Sequence, residues 1–386
     1  MTSRIYALIA LALVSAVLLM LTVSSGATFT APTTNPSNQV GTATLAAPAG
    51  VSATVQSNGG TVRVAWTATS SAWANGHRVY RATNAGGPYT QIQQIAGLAT
   101  VTYDDVPGIG TFYYIVRGYY DTNGANWESV DSAQASAKPL DHFGFNAIAT
   151  QHSGTAFNVT ITAQAQDNST VTGFTGTVTL ATNGGTIAPT TSGAFVAGAR
   201  TESIAITGPY KTNEAITVTG GSPSKTGTSN TFILNHFHAI AVALNNKTGG
   251  TVGKPENGDT IVLTFSEAAS TASMGTCSTG STNSGTDLVA NNLNPDTFTA
   301  SGTKLLMGTV NLGGNNQVTG NKTWSNSTCA WTSGNTVLTI TLAGGGSAGT
   351  DAANRTAAYT PNAAITSPTG EAIDTAQMPS VTGVLF

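Results

Sequence analysis

Thr61-Val-Arg-Val-Ala-Trp66 and Thr111-Phe-Tyr-Tyr-Ile-Val-Arg-Gly-Tyr-Tyr120 decide the fold. The first run alternates apolar and polar residues, which gives an extended chain one face for a core and one for water. The turn signal Asn58-Gly59-Gly60 joins it to Val51-Ser-Ala-Thr-Val55, a second alternating run. Thr111 to Tyr120 is the most aromatic strand. Outward from these lie Gly76-His-Arg-Val-Tyr-Arg81, Tyr89 to Ile95, Thr100 to Asp104 and Ala133 to Ala137. Seven short strands at this spacing specify a β-sandwich.

Composition extends the reading to the whole chain. Only 8% of the 386 residues are charged, which starves helices of the Glu, Lys and Arg that cover their exposed faces. Thr and Val favour strands, and Gly and Asn favour tight turns. The expected fold class is therefore all-β, a tandem of β-sandwiches. A net charge of −3 with scattered basic residues excludes an electrostatic footprint for nucleic acid.

The N-terminus points outward from the cell. One positive charge at Arg4 precedes an apolar run from Ile5 to Val23, and Ser24-Ser25-Gly26-Ala27 follows. That order is a secretory leader, 1–27, processed near Ala27. A retained leader would instead serve as the chain's one membrane anchor, since 19 helical residues span roughly 28 Å. An extended, Thr-rich linker, 28–47, comes next. It can act as a tether or donate a strand to the sheet edge of a neighbouring copy, which would give self-assembly.

Several segments resemble known families. Gly26-Ala27-Thr28-Phe29-Thr30 followed by Val40-Gly41-Thr42-Ala43-Thr44-Leu45 is similar to the leader region of camelysin and TasA-type surface proteins. Residues 48–139 resemble a bacterial fibronectin type III domain. Trp66 stands at the buried strand-B position, Gly76 to Thr83 with Gly87-Pro88-Tyr89 at strand C and its hairpin, and Tyr114-Ile-Val116-Arg-Gly118 at strand F. Residues 140–235 resemble an invasin-like bacterial immunoglobulin repeat through Asp167 to Val178 and Gly185-Thr-Ile-Ala-Pro189. The third segment, 236–386, resembles bacterial immunoglobulin-like surface domains at Gly258 to Glu267, Thr336 to Leu342 and Ile365 to Ile373. Its residues 270–335, rich in Gly, Ser, Thr and Asn, read as a large insertion. Leu140-Asp-His-Phe143 and Leu234-Asn-His-Phe237 open successive segments with nearly the same tetrapeptide, the mark of a tandem. The resemblances imply a non-catalytic extracellular or cell-surface protein with a structural or adhesive role. A carbohydrate-binding accessory of polysaccharide degradation and a filament subunit are the alternatives, and the implied partner is a polysaccharide or a cell-surface protein.

Candidate chemistry is sparse. Cys277 and Cys329, the only cysteines, are expected to form a disulfide in an exported protein. Gly345-Gly-Ser347-Ala-Gly349 has the nucleophile-elbow spacing, yet no histidine follows it, as that hydrolase order requires. His236 and His238 would share a strand face but lack a third metal ligand, and read as exposed residues of a starting strand. Asp104 and Asp105 read as turn residues. Asp121-Thr-Asn123-Gly124 begins like a calcium loop without its terminal acid. No catalytic set, cofactor site or complete metal site emerges. Ligand contact falls to aromatic side chains expected in loops, strand ends and the insertion: Trp73, Tyr119, Tyr120, Trp127, Trp324 and Trp331.

Overall fold

The computed structural model describes residues 43–122, 125–275, 286–301, 305–345 and 348–386. The apolar leader, the linker to residue 42, Cys277, Asn123-Gly124 and Ser347 lie outside the described residues. Among those described, the protein is all-β, with two short 3-10 turns and no helix long and apolar enough to cross a membrane. Leu45–Phe386 forms one compact unit built on three hydrophobic cores.

The first sandwich holds β1 (Ala49–Val55), β2 (Val62–Thr67), β3 (Gly76–Ala82), β4 (Thr90–Ala96), β5 (Thr102–Asp105), β6 (Phe112–Thr122), β7 (Ala125–Glu128) and β8 (Ala135–Ala137). One sheet runs β1-β2-β5 and the other β4-β3-β6-β7, with β8 also on β6. Val62, Val64 and Trp66 meet Val79, Phe112, Tyr114 and Val116 between them, the alternation expected from Thr61 to Trp66. Trp66 is buried, with its ring edge-on to His77 at 5.5 Å.

The acidic pair here is not a turn. Asp104 pairs with Arg63 at 2.7 Å across β5 and β2. Asp105 is buried, bound by Arg81 and by the Tyr114 hydroxyl at 2.9 Å each. A buried carboxylate demands such partners, and two strands of the other sheet, β3 and β6, supply them.

The second sandwich holds β9 (His142–Phe145), β10 (Gln151–His152), β11 (Ala156–Gln164), β12 (Val178–Thr182), β13 (Thr186–Ala188), β14 (Ala199–Thr207), β15 (Lys211–Glu214), β16 (Ile216–Gly220), β17 (Lys225–Thr228) and β18 (Phe232–Asn235). Its sheets run β13-β14-β11-β9, β12-β16-β17 and β10-β18-β15. Phe143, Phe174 and Phe195 form a ring cluster with centroids 5.0–5.9 Å apart at the centre of its core.

The third sandwich holds β19 (Ala239–Asn245), β20 (Thr260–Phe265), β21 (Thr286–Asn291), β22 (Thr297–Ser301), β23 (Gly308–Asn311), β24 (Lys322–Thr332), β25 (Val337–Thr341), β26 (Arg355–Pro361) and β27 (Ser380–Gly383). They form one sheet, β19-β20-β25-β24-β21-β22-β23-β26-β27, whose first and last strands approach each other over a single core. Two expectations fail here. The stretch 270–335 is no appendage, because it supplies β21 to β24, the middle of the sheet. Ile365 to Ile373 is no strand but a tight turn, closed by Ser367 N donating to the Glu371 carbonyl at 2.8 Å. Both isoleucines still reach the core.

Candidate functional site: an aromatic face on the first sandwich

The β6–β7 hairpin sets Tyr120 opposite Trp127 and Tyr119 opposite Glu128. Successive residues on a strand point to opposite faces, so the two pairs part company. On one face Tyr120 and Trp127 stack, with centroids 5.7 Å apart and planes 22° apart. Trp73 arrives from the loop before β3 and meets Tyr120 edge-on at 5.3 Å. Trp127 is 57% exposed and Trp73 38%, so the three rings form a contiguous aromatic surface.

That surface has a rigid mount. Asn75 N donates to the Tyr119 carbonyl at 2.8 Å, and Asp121 N donates to Asn75 Oδ1 at 2.6 Å, which ties the Trp73 loop to β6. On the opposite face Arg78 is almost buried and bonds Asp121 at 2.8 Å and Glu128 at 2.7 Å, while its guanidinium also takes Asn126. Arg117 reaches Glu128 at 2.8 Å and Asp131 at 2.6 Å. Burial alone would raise the Glu128 pKa; hydrogen bonds from Tyr80, Arg78 and Arg117 outweigh it and hold the carboxyl below its ordinary value. The short strand carrying Trp127 is thereby clamped through its polar side. Flat apolar rings of this kind can stack on planar or pyranose faces, and nothing in the cluster offers a nucleophile or a base.

Three of the six expected contact aromatics do not belong to any exposed face. Tyr119 is buried beneath the Arg78 guanidinium, 4.6 Å from the ring centroid. Trp324 is fully buried against Phe298, at 5.4 Å. Trp331 is buried against Phe265, at 5.9 Å. The indole of Trp324 lies so close to Gly345 that a Cβ there would sit 2.3 Å from its Cδ1, so only glycine fits. Cys329, on the same strand, is also buried and is not free. The histidines expected at the surface are not there either. His238 is buried under the Tyr210 ring, at 4.2 Å, and His236 is largely covered with its Nε2 3.4 Å from Glu371. Asp121 is held by Arg78 rather than poised for calcium.

Sandwich on sandwich defines the class: a tandem β-sandwich protein. No family model matches the chain, and no curated protein matches it. Among solved structures it is similar to an Fn3-like protein from Clostridium thermocellum, 33% identical over 24% of this chain and 92% of that one, with a TM-score of 0.21. It is also similar to the FN1-FN3 domains of chicken CNTN1, at 7% identity over 88% of this chain and 99% of that one, TM-score 0.22. The three N-terminal domains of the bacteriophage RB49 highly immunogenic outer capsid protein are 11% identical over 86% and 97%, TM-score 0.24.

Proposed function

We propose that this chain is a non-catalytic extracellular surface protein that holds an aromatic face against a polysaccharide. In this reading 48–139 is the binding module, and 140–235 and 236–386 are spacers that carry it away from the cell. The observation that supports it is Trp127, a large ring left 57% exposed and yet fixed by stacking, strand pairing and the Glu128 clamp. Exposed apolar surface held rigid favours a ligand, because little conformational freedom is lost on contact. A pyranose presents C–H groups to such a ring and leaves its hydroxyls to water.

The test is co-sedimentation of the purified protein with insoluble cellulose, chitin and xylan, followed by titration with soluble fragments of whichever retains it. Trp127→Ala and Trp73→Ala should each weaken binding at least tenfold, while Trp331→Phe leaves it unchanged. Retention by none of the three, or undiminished retention of Trp127→Ala, would overturn the proposal.

A further inference from the structure

His152, Glu267 and Glu371 converge where the second and third sandwiches join, with His152 lying 115 residues before Glu267 in the chain. His152 ends β10, which pairs in parallel with β18. Glu267 follows β20, and Glu371 sits in the turn closed on Ser367. His152 Nε2 lies 3.1 Å from Glu267 Oε1 and 3.4 Å from Glu371 Oε2. One ligand atom from each of the three falls within 4.8 Å of the others.

The orientation of the imidazoles gives these distances their meaning. His152 Nδ1 is 3.1 Å from the Ser153 carbonyl oxygen, and His236 Nδ1 is 3.1 Å from that of Phe237. A carbonyl only accepts, so each Nδ1 carries the proton. In the neutral ring the Nε2 lone pair of His152 is then aimed at two carboxylate oxygens. Acceptor faces acceptor, an arrangement that holds only with positive charge in or beside the gap. Ligands about 2.0–2.1 Å from a tetrahedral centre stand about 3.3 Å from one another, close to both His152 distances. The set carries two carboxylates and one neutral imidazole, a charge of −2 that a divalent ion balances. Calcium and magnesium prefer oxygen throughout, whereas a mixed nitrogen and oxygen set suits zinc and its transition-metal neighbours. The second oxygen of Glu371 meanwhile accepts from the Phe237 amide at 3.4 Å, as outer partners hold a metal-ligating carboxylate.

We propose that His152, Glu267 and Glu371 bind a divalent transition metal of the zinc type, and that this ion fastens the second sandwich to the third. The side chains of all three ligands remain partly exposed, at 32%, 33% and 19%, so an ion can enter from solvent.

The test uses the untagged, unreduced protein, stripped with a chelator and titrated with zinc chloride by calorimetry and against a chromogenic zinc indicator. One zinc per chain is expected, bound at least tenfold more weakly by His152→Gln, Glu267→Gln or Glu371→Gln. His142→Gln, outside the ligand set, should bind as the parent does, and calcium should not compete. Near-UV circular dichroism identifies variants that remain folded. No zinc uptake by the parent protein, which would leave a protonated His152 as the charge in the gap, overturns the proposal. So does equal affinity in the folded ligand variants, or equally tight calcium binding.

Discussion

Trp73 and Trp127 of the first sandwich and Trp324 and Trp331 of the third sit in closely similar company. Their neighbours are Ala72 and Ala74, Asn126 and Glu128, Thr323 and Ser325, and Ala330 and Thr332. The first pair is exposed and the second is buried. Local composition does not separate them; position does, since Trp73 lies in the loop before β3 and Trp127 on β7. β7 is an edge strand, at the end of the order β4-β3-β6-β7. β24 lies between β25 and β21, inside a sheet that closes over its own core. In a chain this poor in charge, a tryptophan is buried or exposed according to its place in the fold rather than its neighbours in sequence.

The sharpest way to break that contrast is Trp324→Ala. Removing a fully buried indole should cost about 3–5 kcal/mol, read as a loss of the third sandwich's transition in denaturant melts. A cost under 1 kcal/mol would mean that β24 is not central. The expected Cys277–Cys329 bridge would fasten the same strand and should contribute about 4 kcal/mol by closing a loop of some fifty residues. Alkylation before reduction should label neither cysteine, and labelling of both in exported protein would show the bridge absent.

Acid should act on the two sandwiches in opposite senses. Glu128 has a depressed folded pKa, so its stabilising contribution is full above the ordinary 4.5 and is lost as pH falls through the folded value. Asp296 in the third sandwich is buried, and burial raises its pKa despite amide hydrogen bonds from Val318 and Leu293. Its contribution is full below the ordinary 3.8 and is lost as pH rises through the raised folded value. Calorimetric scans from pH 6 to pH 3 should show the first sandwich losing more than the third, and Glu128→Gln should narrow the gap. The smallest effect belongs to Trp127→Ala, about 1 kcal/mol or less, the worth of its ring contact with Tyr120. A larger loss would make Trp127 a structural residue.

The first sandwich was legible because its strands are regular. Thr61 to Trp66 and Thr111 to Tyr120 appear as β2 and β6 within a residue or two at each end. The third was not, and β24 shows why. Leu288 pairs with Trp324 but Thr286 pairs with Ser327, so one extra residue bulges there. Buried positions run 324, then 327, 329 and 331, and the period of two is lost midway. The aromatic face was half legible. Trp73, Tyr120 and Trp127 stood out as residues, but their meeting depends on the β6–β7 register. The β7 strand was itself missed, for four residues between turns carry no period. His152, Glu267 and Glu371 gave no signal, because only tertiary packing places them together.

The strand order of the third sandwich also bears on when it can form. β20 pairs with β25, which lies 73 residues later at the Thr264–Val337 pairing and 81 later at Thr260–Thr341. Four strands, β21 to β24, lie between them in the chain. Both sandwiches contain local hairpins, such as β3 with β4 and β24 with β25, but the β20–β25 pairing spans more of the chain than the first sandwich's β2–β5 and β3–β6 pairings. Rates fall as contacting residues become more distant along the chain. The third sandwich is therefore expected to form more slowly than the first, and until β25 arrives β20 presents an unpaired edge to any neighbouring chain.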